Sequence, residues 1–335
     1  METSNKTALV TGGAGFIGSE LTRQLAKQVD RVLLVDNLIN GRRENLKEVL
    51  NEQVQLHVTD VRDIEHMERL LKDTEVVFHL ACLGVRHSIH SPRENHDVNA
   101  TATLNLLVAA RKCGVQRFVY VSSSEVYGTA REVPMTEQHP TFPMTVYGGS
   151  KLAGESYTRA FNRTYDYPTI VVRPFNAYGP RCHHEGDSGE VIPKFLLRCM
   201  AGEPMMIFGD GTQTRDFSFV SDTARGILQS GFSNRAIGKT INLGQGKEIS
   251  INQLAQQVAS VVGLDTANVE HEEPRPGDVL RLYADSTLAQ ELLDFRPDIT
   301  LEEGLTRLRD WYEHSGSTPA ELLEQEVVRN WGEAS

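Results

Sequence analysis

The stretch from Thr7 to Lys27 constrains this chain more than any other. Thr7–Thr11 (TALVT) reads as a buried strand, and it runs without a linker into Gly12-Gly13-Ala14-Gly15-Phe16-Ile17-Gly18. From Gly15 onward, Ile17, Leu21 and Leu25 recur at helical spacing. A strand, a glycine turn and a helix in immediate succession give the glycines separate tasks. Gly12 permits the tight turn, Gly15 lets a pyrophosphate approach the backbone, and Gly18 lets the helix lie close on the strand. The free N–H groups and positive dipole end of the helix then face the phosphates. A lone glycine pattern is weak, but this one has the strand–turn–helix context that makes it specific. The next apolar run, Arg31–Asp36 (RVLLVD), ends in a carboxylate eighteen residues after Gly18. Asp36 is suited to accept hydrogen bonds from a ribose diol and to repel a 2′-phosphate, which predicts NAD over NADP. Arg42 and Arg43 weaken that preference slightly. Phe16, Ile17 and Asn37 complete the expected contacts around the turn.

Further strand-like runs follow at Val54–Val58, Glu75–His79, Arg117–Ser122 and Thr169–Arg173. Helical patterns separate them, the clearest being Asn95–Cys113 and Tyr147–Arg163. Near-continuous apolar strands alternating with helices predict an α/β fold: a doubly wound, Rossmann-type parallel sheet covered on both faces. Asp60-Val61 and His79-Leu80-Ala81-Cys82 end the third and fourth strands, at the carboxyl edge where ligands bind in such sheets. After residue 175 glycine and proline become frequent around Asn176–Gly189, Gly202–Gly211 and Glu273–Gly277. Shorter elements follow, with helices near Ile251–Val262 and Leu301–Glu313. The expected division is a dinucleotide-binding domain over 1–175, with returning segments near 216–245, and a smaller α/β substrate-binding lobe over 176–215 and 246–335. Ser317–Trp331 reads as an amphipathic tail helix used for packing or a dimer contact.

Composition narrows the classes. Among 335 residues, 34 Lys and Arg face 45 Asp and Glu, a net charge of −11. That argues against non-specific binding of nucleic acid or anionic membranes. No apolar run reaches the roughly 18 residues of a membrane span. Met1–Lys6 is polar, without the basic and apolar regions of a secretory signal, so a cytoplasmic location is expected. Cys82, Cys113, Cys182 and Cys199 are dispersed and read as reduced thiols.

Tyr147-Gly148-Gly149-Ser150-Lys151 sets a phenol and an ammonium four residues apart, on one helix face. A phenol with a pKa near 10 is a poor base at neutral pH. A nearby ammonium and an oxidised nicotinamide ring stabilise the phenolate. Upstream, Val121-Ser122-Ser123-Ser124-Glu125-Val126-Tyr127-Gly128 follows a strand ending at the same edge, so a hydroxyl there can reach the oxygen that Tyr147 deprotonates.

Together and in this order, these motifs resemble the extended short-chain dehydrogenase/reductase family, and within it the nucleotide-sugar epimerases, dehydratases and decarboxylases. The resemblance spans nearly the whole chain. It includes His79-Leu80-Ala81, Asn99, Arg173-Pro174-Phe175-Asn176, Tyr178-Gly179-Pro180-Arg181, Gly209-Asp210-Gly211 with Arg215-Asp216-Phe217, and Arg275-Pro276-Gly277-Asp278. It implies that Ser123 and Tyr147 bind a sugar hydroxyl, Tyr147 removing its proton while NAD takes hydride from the same carbon, usually C4. Lys151 holds the nicotinamide ribose, Asn99 supports the helix and a bound water, and Phe175 and Asn176 line the space between sugar and nicotinamide. Arg215 and Arg275 match diphosphate-binding arginines, Asp278 the carboxylate on the nucleoside ribose, and Val191, Ile192, Pro193 and Phe195 the segment packed on the base. The resemblance also implies a homodimer, through the helix carrying Tyr147 and the long helix before it.

The reaction after oxidation stays open at this level. A 4-epimerase needs Ser, Tyr, Lys and room for the keto sugar to turn over. A 4,6-dehydratase also needs a base and an acid, at the positions Ser124 and Glu125 occupy. Ser-Glu matches GDP-mannose dehydratases and UDP-glucuronate decarboxylases, whereas Ser123 is closer to epimerases. Glu125 is therefore either a catalytic base or an orienting carboxylate. Leu83-Gly84-Val85-Arg86 looks like UDP-glucuronate 4-epimerases, where Arg86 either meets a C6 carboxylate together with Arg181 or is a surface or diphosphate arginine. Cys182-His183-His184-Glu185-Gly186-Asp187 reads as a substrate loop, with His184 toward the sugar, rather than a metal site. The best single reading is a UDP-hexose or UDP-uronate 4-epimerase, with a dehydratase or decarboxylase as the alternative. A non-catalytic Rossmann-type binding protein and a dehydrogenase of hydrophobic alcohols fit the intact Ser, Tyr, Lys and arginine sets less well.

Overall fold

The computed structural model describes residues 6–186, 188–275 and 278–329. Asp187, Pro276, Gly277 and Trp331, named above, lie outside them. Six strands open the chain: β1 (Thr7–Thr11), β2 (Arg31–Asp36), β3 (Val54–Val58), β4 (Val76–His79), β5 (Arg117–Val121) and β6 (Thr169–Pro174). Between them run α1 (Phe16–Leu25), α2 (Ile64–Leu71), α3 (Val85–His90), α4 (Pro92–His96), α5 (Ala102–Lys112) and α6 (Val146–Tyr165). Next come β7 (Asn176–Tyr178), α7 (Val191–Ala201), β8 (Met205–Phe208), β9 (Thr214–Phe219), α8 (Val220–Phe232), β10 (Thr240–Leu243) and β11 (Glu248–Ser250). The chain continues through α9 (Ile251–Val262), β12 (Val269–Glu272), α10 (Thr287–Leu293), α11 (Leu301–Glu313) and α12 (Pro319–Leu323).

Among the described residues the main sheet has seven parallel strands in the order β3-β2-β1-β4-β5-β6-β10. Every residue of β1 and β6 is buried, as apolar runs covered on both faces require. Alternate residues serve opposite faces. Ala8, Val10, Leu34 and Phe78 pack with Ile227, Leu243 and Phe295, whereas Leu9, Leu33, Val35 and Val77 pack with Leu106, Leu107 and Phe161. Register brings the strand ends level: Thr11 pairs with both Val35 and His79, and His79 with Tyr120.

A second apolar cluster gathers Phe195, Leu196, Phe217, Phe219, Leu254, Val258, Leu305 and Tyr312 around β7, β9 and β11. Phe16 of α1 belongs to it, so the glycine-turn helix contacts both bodies of structure. The α8 helix packs on α1, and β10 joins the main sheet at β6.

Two elements differ from expectation. The helix expected from Asn95 begins at Pro92, and its turn at Asp97–Thr101 is widened. Asn95 just before that turn and Asn99 within it both bond the main chain of Leu83, Asn99 at 2.9 Å in both directions. The helix expected over Ser317–Trp331 is confined to Pro319–Leu323. Beyond it tertiary contacts draw the chain out: Glu326 bridges to Gly186, its carboxylate meets Arg198 at 2.8 Å, and the Val327 carbonyl accepts from Lys194 at 2.7 Å. Among the described residues no helix is long and apolar enough to cross a membrane.

A buried ion pair fixes α6 to β6. Arg173 Nε donates to Glu155 Oε1 at 2.8 Å and Nη2 to Oε2 at 2.7 Å. The two side chains are 3% and 0% exposed. Removing one partner leaves a buried charge alone, so Glu155→Ala is expected to lower the unfolding free energy by about 3–5 kcal/mol. A Cβ at Gly149 of the same helix would meet nothing within 4 Å. Gly149→Ala is therefore expected to stabilise by up to ~1 kcal/mol. Equilibrium urea denaturation of both variants checks the pair of signs.

Candidate active site

A cavity of about 590 Å³ lies along the carboxyl edge of the main sheet. Its first wall is the glycine turn. Gly12 has a φ of +71°, and a Cβ there would sit 2.9 Å from the Ala81 nitrogen. A Cβ at Gly18 would overlap the Gly12 carbonyl. The backbone is thus exposed with no side chain in the way, a cradle suited to a pyrophosphate. Gly12, Gly15, Phe16, Ile17 and Gly18 all line the cavity, as do Asp36, Asn37, Asp60, Val61, Leu80 and Ala81.

Asp36 accepts from the main-chain N–H groups of Ala14 (3.0 Å) and Leu38 (2.9 Å). Burial pushes its carboxyl up and these bonds counter it. Gly15 adds a third main-chain bond, and since a carboxylate offers about four acceptor sites, capacity remains for a further donor. Asn37 donates to Asp60 at 3.0 Å, and hydrogen bonding to Arg62 holds Asp60 down to about 2. Beneath the turn, His79 lies between the hydroxyls of Thr11 (2.7 Å) and Thr103 (2.9 Å). Burial holds it down to about 3, so it stays neutral. Thr11 in turn accepts from the N–H groups of Leu80 and Ala81, both at 3.2 Å.

Asn99 supports α6 as expected, but it does not join the cofactor-side residues on the cavity wall: its amide is spent on Leu83, Asn95 (3.1 Å) and Ser150 (3.1 Å). It braces α6 from behind, because its side chain lies 1% exposed under the Leu83 loop.

The N-terminus of α6 is capped by Thr145, whose hydroxyl accepts from Gly148 N at 3.1 Å. That cap sets Tyr147 in the first helical turn and Lys151 one turn later, both on the cavity wall. Burial pushes the Tyr147 phenol above its ordinary value, and a hydrogen bond with Ser123 opposes this. Lys151 is buried, donates to the Val121 carbonyl at 2.7 Å, and lies 4.8 Å from the Tyr120 ring centre. Burial pulls its ammonium down. Ser123 also accepts from Glu125 N at 3.2 Å. Ser124 and Glu125 share this wall; burial pushes Glu125 up, against the pull of Arg215 and Arg86.

At the far end stand Arg86, Asn176, Val191, Phe195, Arg215, Arg275 and Asp278. Arg215 is paired with Asp278 at 2.8 Å. Asp216 beside it turns away, accepting from Gln245 (2.8 Å), Gly246 (3.0 Å) and Ala284 (3.1 Å). The Arg275 guanidinium lies 4.8 Å from the Phe208 ring centre. Burial and the neighbouring Arg86 bring Arg275 down to about 10. Arg86 lies within electrostatic reach of Glu125, Asp278 and Glu190. Buried Asn176 Oδ1 has no hydrogen-bond partner among the described residues.

Two further expectations are corrected. His184 is buried with its ring edge-on to Tyr312, 5.9 Å between centres, because α11 supplies an aromatic wall behind the loop. His183, one residue earlier, is the member of the pair that lines the cavity. Arg181 donates to Glu20 of α1 at 2.7 Å and is absent from the cavity wall, so it does not join Arg86. Among the described residues no group of three metal-binding side chains converges.

Sequence reasoning missed Glu190. It lines the cavity, and burial pushes it up to about 7. Cys82, expected only to end a strand and to stay a reduced thiol, has its thiol close enough to influence both Tyr147 and Lys151. Neither stands in a pattern that marks it; only the adjacency of Glu190 to Val191, and of Cys82 to Ala81, hints at the cavity.

The chain resembles known proteins along nearly its full length. The family model described as GDP-mannose 4,6 dehydratase matches residues 9–308. A putative UDP-glucose 4-epimerase of Methanocaldococcus jannaschii is 36% identical over 314 residues, 92% of this chain and 99% of the relative. The crystal structure of a Thermotoga maritima UDP-glucose 4-epimerase with UDP-glucose superposes with a TM-score of 0.87 at 34% identity, over 93% of this chain and 100% of that one. A UDP-glucuronic acid 4-epimerase of Bacillus cereus, solved with UDP-glucuronic acid and NAD, superposes with a TM-score of 0.85 at 30% identity, over 91% of this chain and 98% of that one. With a family match spanning most of the sheet and the second lobe, the chain belongs to the GDP-mannose 4,6 dehydratase family, within the extended short-chain dehydrogenase/reductase group of nucleotide-sugar epimerases and dehydratases.

Proposed function

We propose that this chain is an NAD-dependent nucleotide-sugar 4-epimerase acting on a UDP-hexose or UDP-uronic acid. The observation that carries the reading is a single continuous cavity. It joins the glycine cradle and Asp36 at one end, Ser123, Tyr147 and Lys151 in the middle, and Arg215, Arg275 and Asp278 at the other. The epimerase activity of the similar proteins supports it.

The bare backbone at Gly12 and Gly18 fits a dinucleotide pyrophosphate, and the spare acceptor capacity of Asp36 fits a ribose diol. NAD, when bound, supplies an acceptor for the C4 hydride and returns that hydride later. The chain's own residues handle the proton and the orientation. Ser123 fixes the sugar O4 by hydrogen bonding. Tyr147 takes the O4 proton as the C4–H bond breaks, leaving a 4-keto sugar, and gives it back when the C4–H bond reforms on the opposite face. Lys151 supplies positive charge near the phenolate and a donor for the nicotinamide ribose. Arg215 and Arg275 hold the diphosphate through charge-assisted bonds, Asp278 takes the nucleoside ribose, Val191 and Phe195 pack on the base, and Asn176 Oδ1 accepts from the ligand. Arg86 at the sugar end suits a C6 carboxylate.

A second reading, a 4,6-dehydratase or decarboxylase, is favoured by one observation. Glu125 stands on the cavity wall near Tyr147, at the position a further base or acid would need, with its carboxyl pushed up by burial. The four free cysteines fit a cytoplasmic setting. Val108 on α5, with Val146 and Tyr165 on α6, is 44–52% exposed, which suits the two-helix face of a homodimer.

Tyr147→Phe is expected to lower kcat by about a thousandfold while NAD stoichiometry is unchanged; retention of more than a tenth of the turnover would reject the base assignment. Asp36→Asn is expected to weaken NAD binding by about tenfold or more through loss of a charged acceptor, and to narrow the preference for NAD over NADP because the repulsion of a 2′-phosphate is gone, checked by titration calorimetry. Product NMR on a panel of UDP-, GDP-, dTDP- and CDP-sugars separates the reactions. An isobaric product inverted at C4 that survives Glu125→Gln supports the epimerase. Loss of water or carbon dioxide that disappears in Glu125→Gln supports the second reading.

A further inference from the structure

The loop after β7 holds the unusual Cys182-His183-His184-Glu185 run, and its position relates two walls of the cavity. His183, Ser188 and Glu190 line the substrate side. Asn40 and Gly41, next to Arg42, line the cofactor side below Asp36. Arg42 is tied by its own main chain to the glycine turn, donating to Ala14 O at 3.0 Å. Its Nη2 donates to Glu185 Oε1 at 2.8 Å, across 143 residues of sequence.

Glu185 is already organised to hold that bond. Its Oε1 also lies 3.1 Å from His183 Nδ1, and its Oε2 accepts from His184 N at 2.9 Å. Despite burial, His183 holds the carboxyl down to about 2, so it is ionised at neutral pH. The loop is closed on itself by Glu190 N bonding the His183 carbonyl at 2.9 Å. It is backed by the tail, where Gly186 N meets Gln325 O at 3.0 Å. Arg181, just before it, is paired with Glu20 of the glycine-turn helix at 2.7 Å. The Arg42–Glu185 bond therefore connects a lip built on the glycine turn to a loop braced from behind by the tail.

We propose that Glu185 is a positioning residue that, through Arg42, latches the two lips of the cavity together and so sets how long the cofactor stays bound. The proposal rests on the NAD reading above. A molecule lying between the glycine cradle and Tyr147 leaves most easily when the Asn40–Arg42 lip moves away from the His183 loop, and that movement breaks this bond. Arg42 is 48% and Glu185 20% exposed, so water competes for the pair and its effect is modest.

The test measures release of prebound NADH, displaced by excess NAD and followed by its fluorescence. It compares the wild-type protein with Arg42→Ala, Glu185→Ala, the double variant, and Glu185→Asp as the conservative replacement. Arg307→Ala, which breaks a surface pair within α11, serves as control. Each alanine variant is expected to release NADH about three- to fivefold faster. The double variant should be no faster than the faster single, Glu185→Asp should recover part of the effect, and the melting temperature of the cofactor-free protein and the control's release rate should stay at wild-type values. Wild-type release rates in the single variants, or effects that multiply in the double, would overturn the latch while leaving the NAD reading intact. A wild-type protein that takes up neither NAD nor NADH would overturn both.

Discussion

Backbone meets backbone where β1 turns into α1, and the geometry of the cavity follows from that contact. A side chain at Gly18 would overlap the Gly12 carbonyl, and one at Gly12 would press on Ala81. Absence of Cβ atoms at these two positions lets α1 lie on the turn and lets the turn lie on the end of β4. Thr11 then reaches Leu80, Ala81 and His79 with one hydroxyl. The Arg31–Asp36 strand pairs in register beside it, which delivers the Asp36 carboxylate to the same edge. A larger residue at either glycine would separate α1 from the strand and remove the cradle, whatever the rest of the chain did.

The second anchor is α6, held from several directions at once. Arg173 and Glu155 clamp it to β6. Tyr120 of β5 fits against the bare face of Gly154 and donates to the Lys151 carbonyl at 3.2 Å. Ser150 bonds Asn95 at 3.1 Å, and through it the loop at Leu83. Each tie lies within eight residues of Tyr147. The phenol is therefore placed by the sheet, by the preceding helix and by the Leu83 loop that leads to Arg86, so a small shift in any of them would move it relative to Ser123. Precise placement of a proton-transfer group matters because an error of an ångström weakens catalysis severalfold or more.

Charge in and around the cavity is dense. Burial and then Arg86 bring Arg275 down, burial lifts Glu190 to about 7, and Lys194 behind the wall is brought down to about 8 by burial and the neighbouring arginines. A cluster of cations at one end, mixed with carboxyls that give up protons reluctantly, favours an anionic ligand. This is the physical reason an acidic chain, net −11, can still hold a diphosphate: local geometry outweighs net charge at contact distance.

Much of this was legible in the residue order. Strand–turn–helix glycines, Asp36 eighteen residues on, the Tyr147/Lys151 spacing and the serine run are local patterns, and local sterics and helical periodicity determine them without reference to the rest of the chain. Arg215, Arg275 and Asp278 came from colinear motifs, and the structure brings them to the same cavity. What the order of residues left undecided was direction. His183 and His184 are neighbours with the same chemistry, and only the Tyr312 wall behind the loop decides which one faces inward. Asn99 lay under the site rather than in it because Leu83 and Ser150 claim its amide. Tail residues beyond Leu323 gave up their helix to Gly186 and Arg198. The sequence by itself determined the elements and the chemical groups, since those depend on contacts a few residues apart. Tertiary structure decided which face each group shows and which charges meet, as Arg42 and Glu185 do, since those contacts join segments more than a hundred residues apart that no local pattern relates.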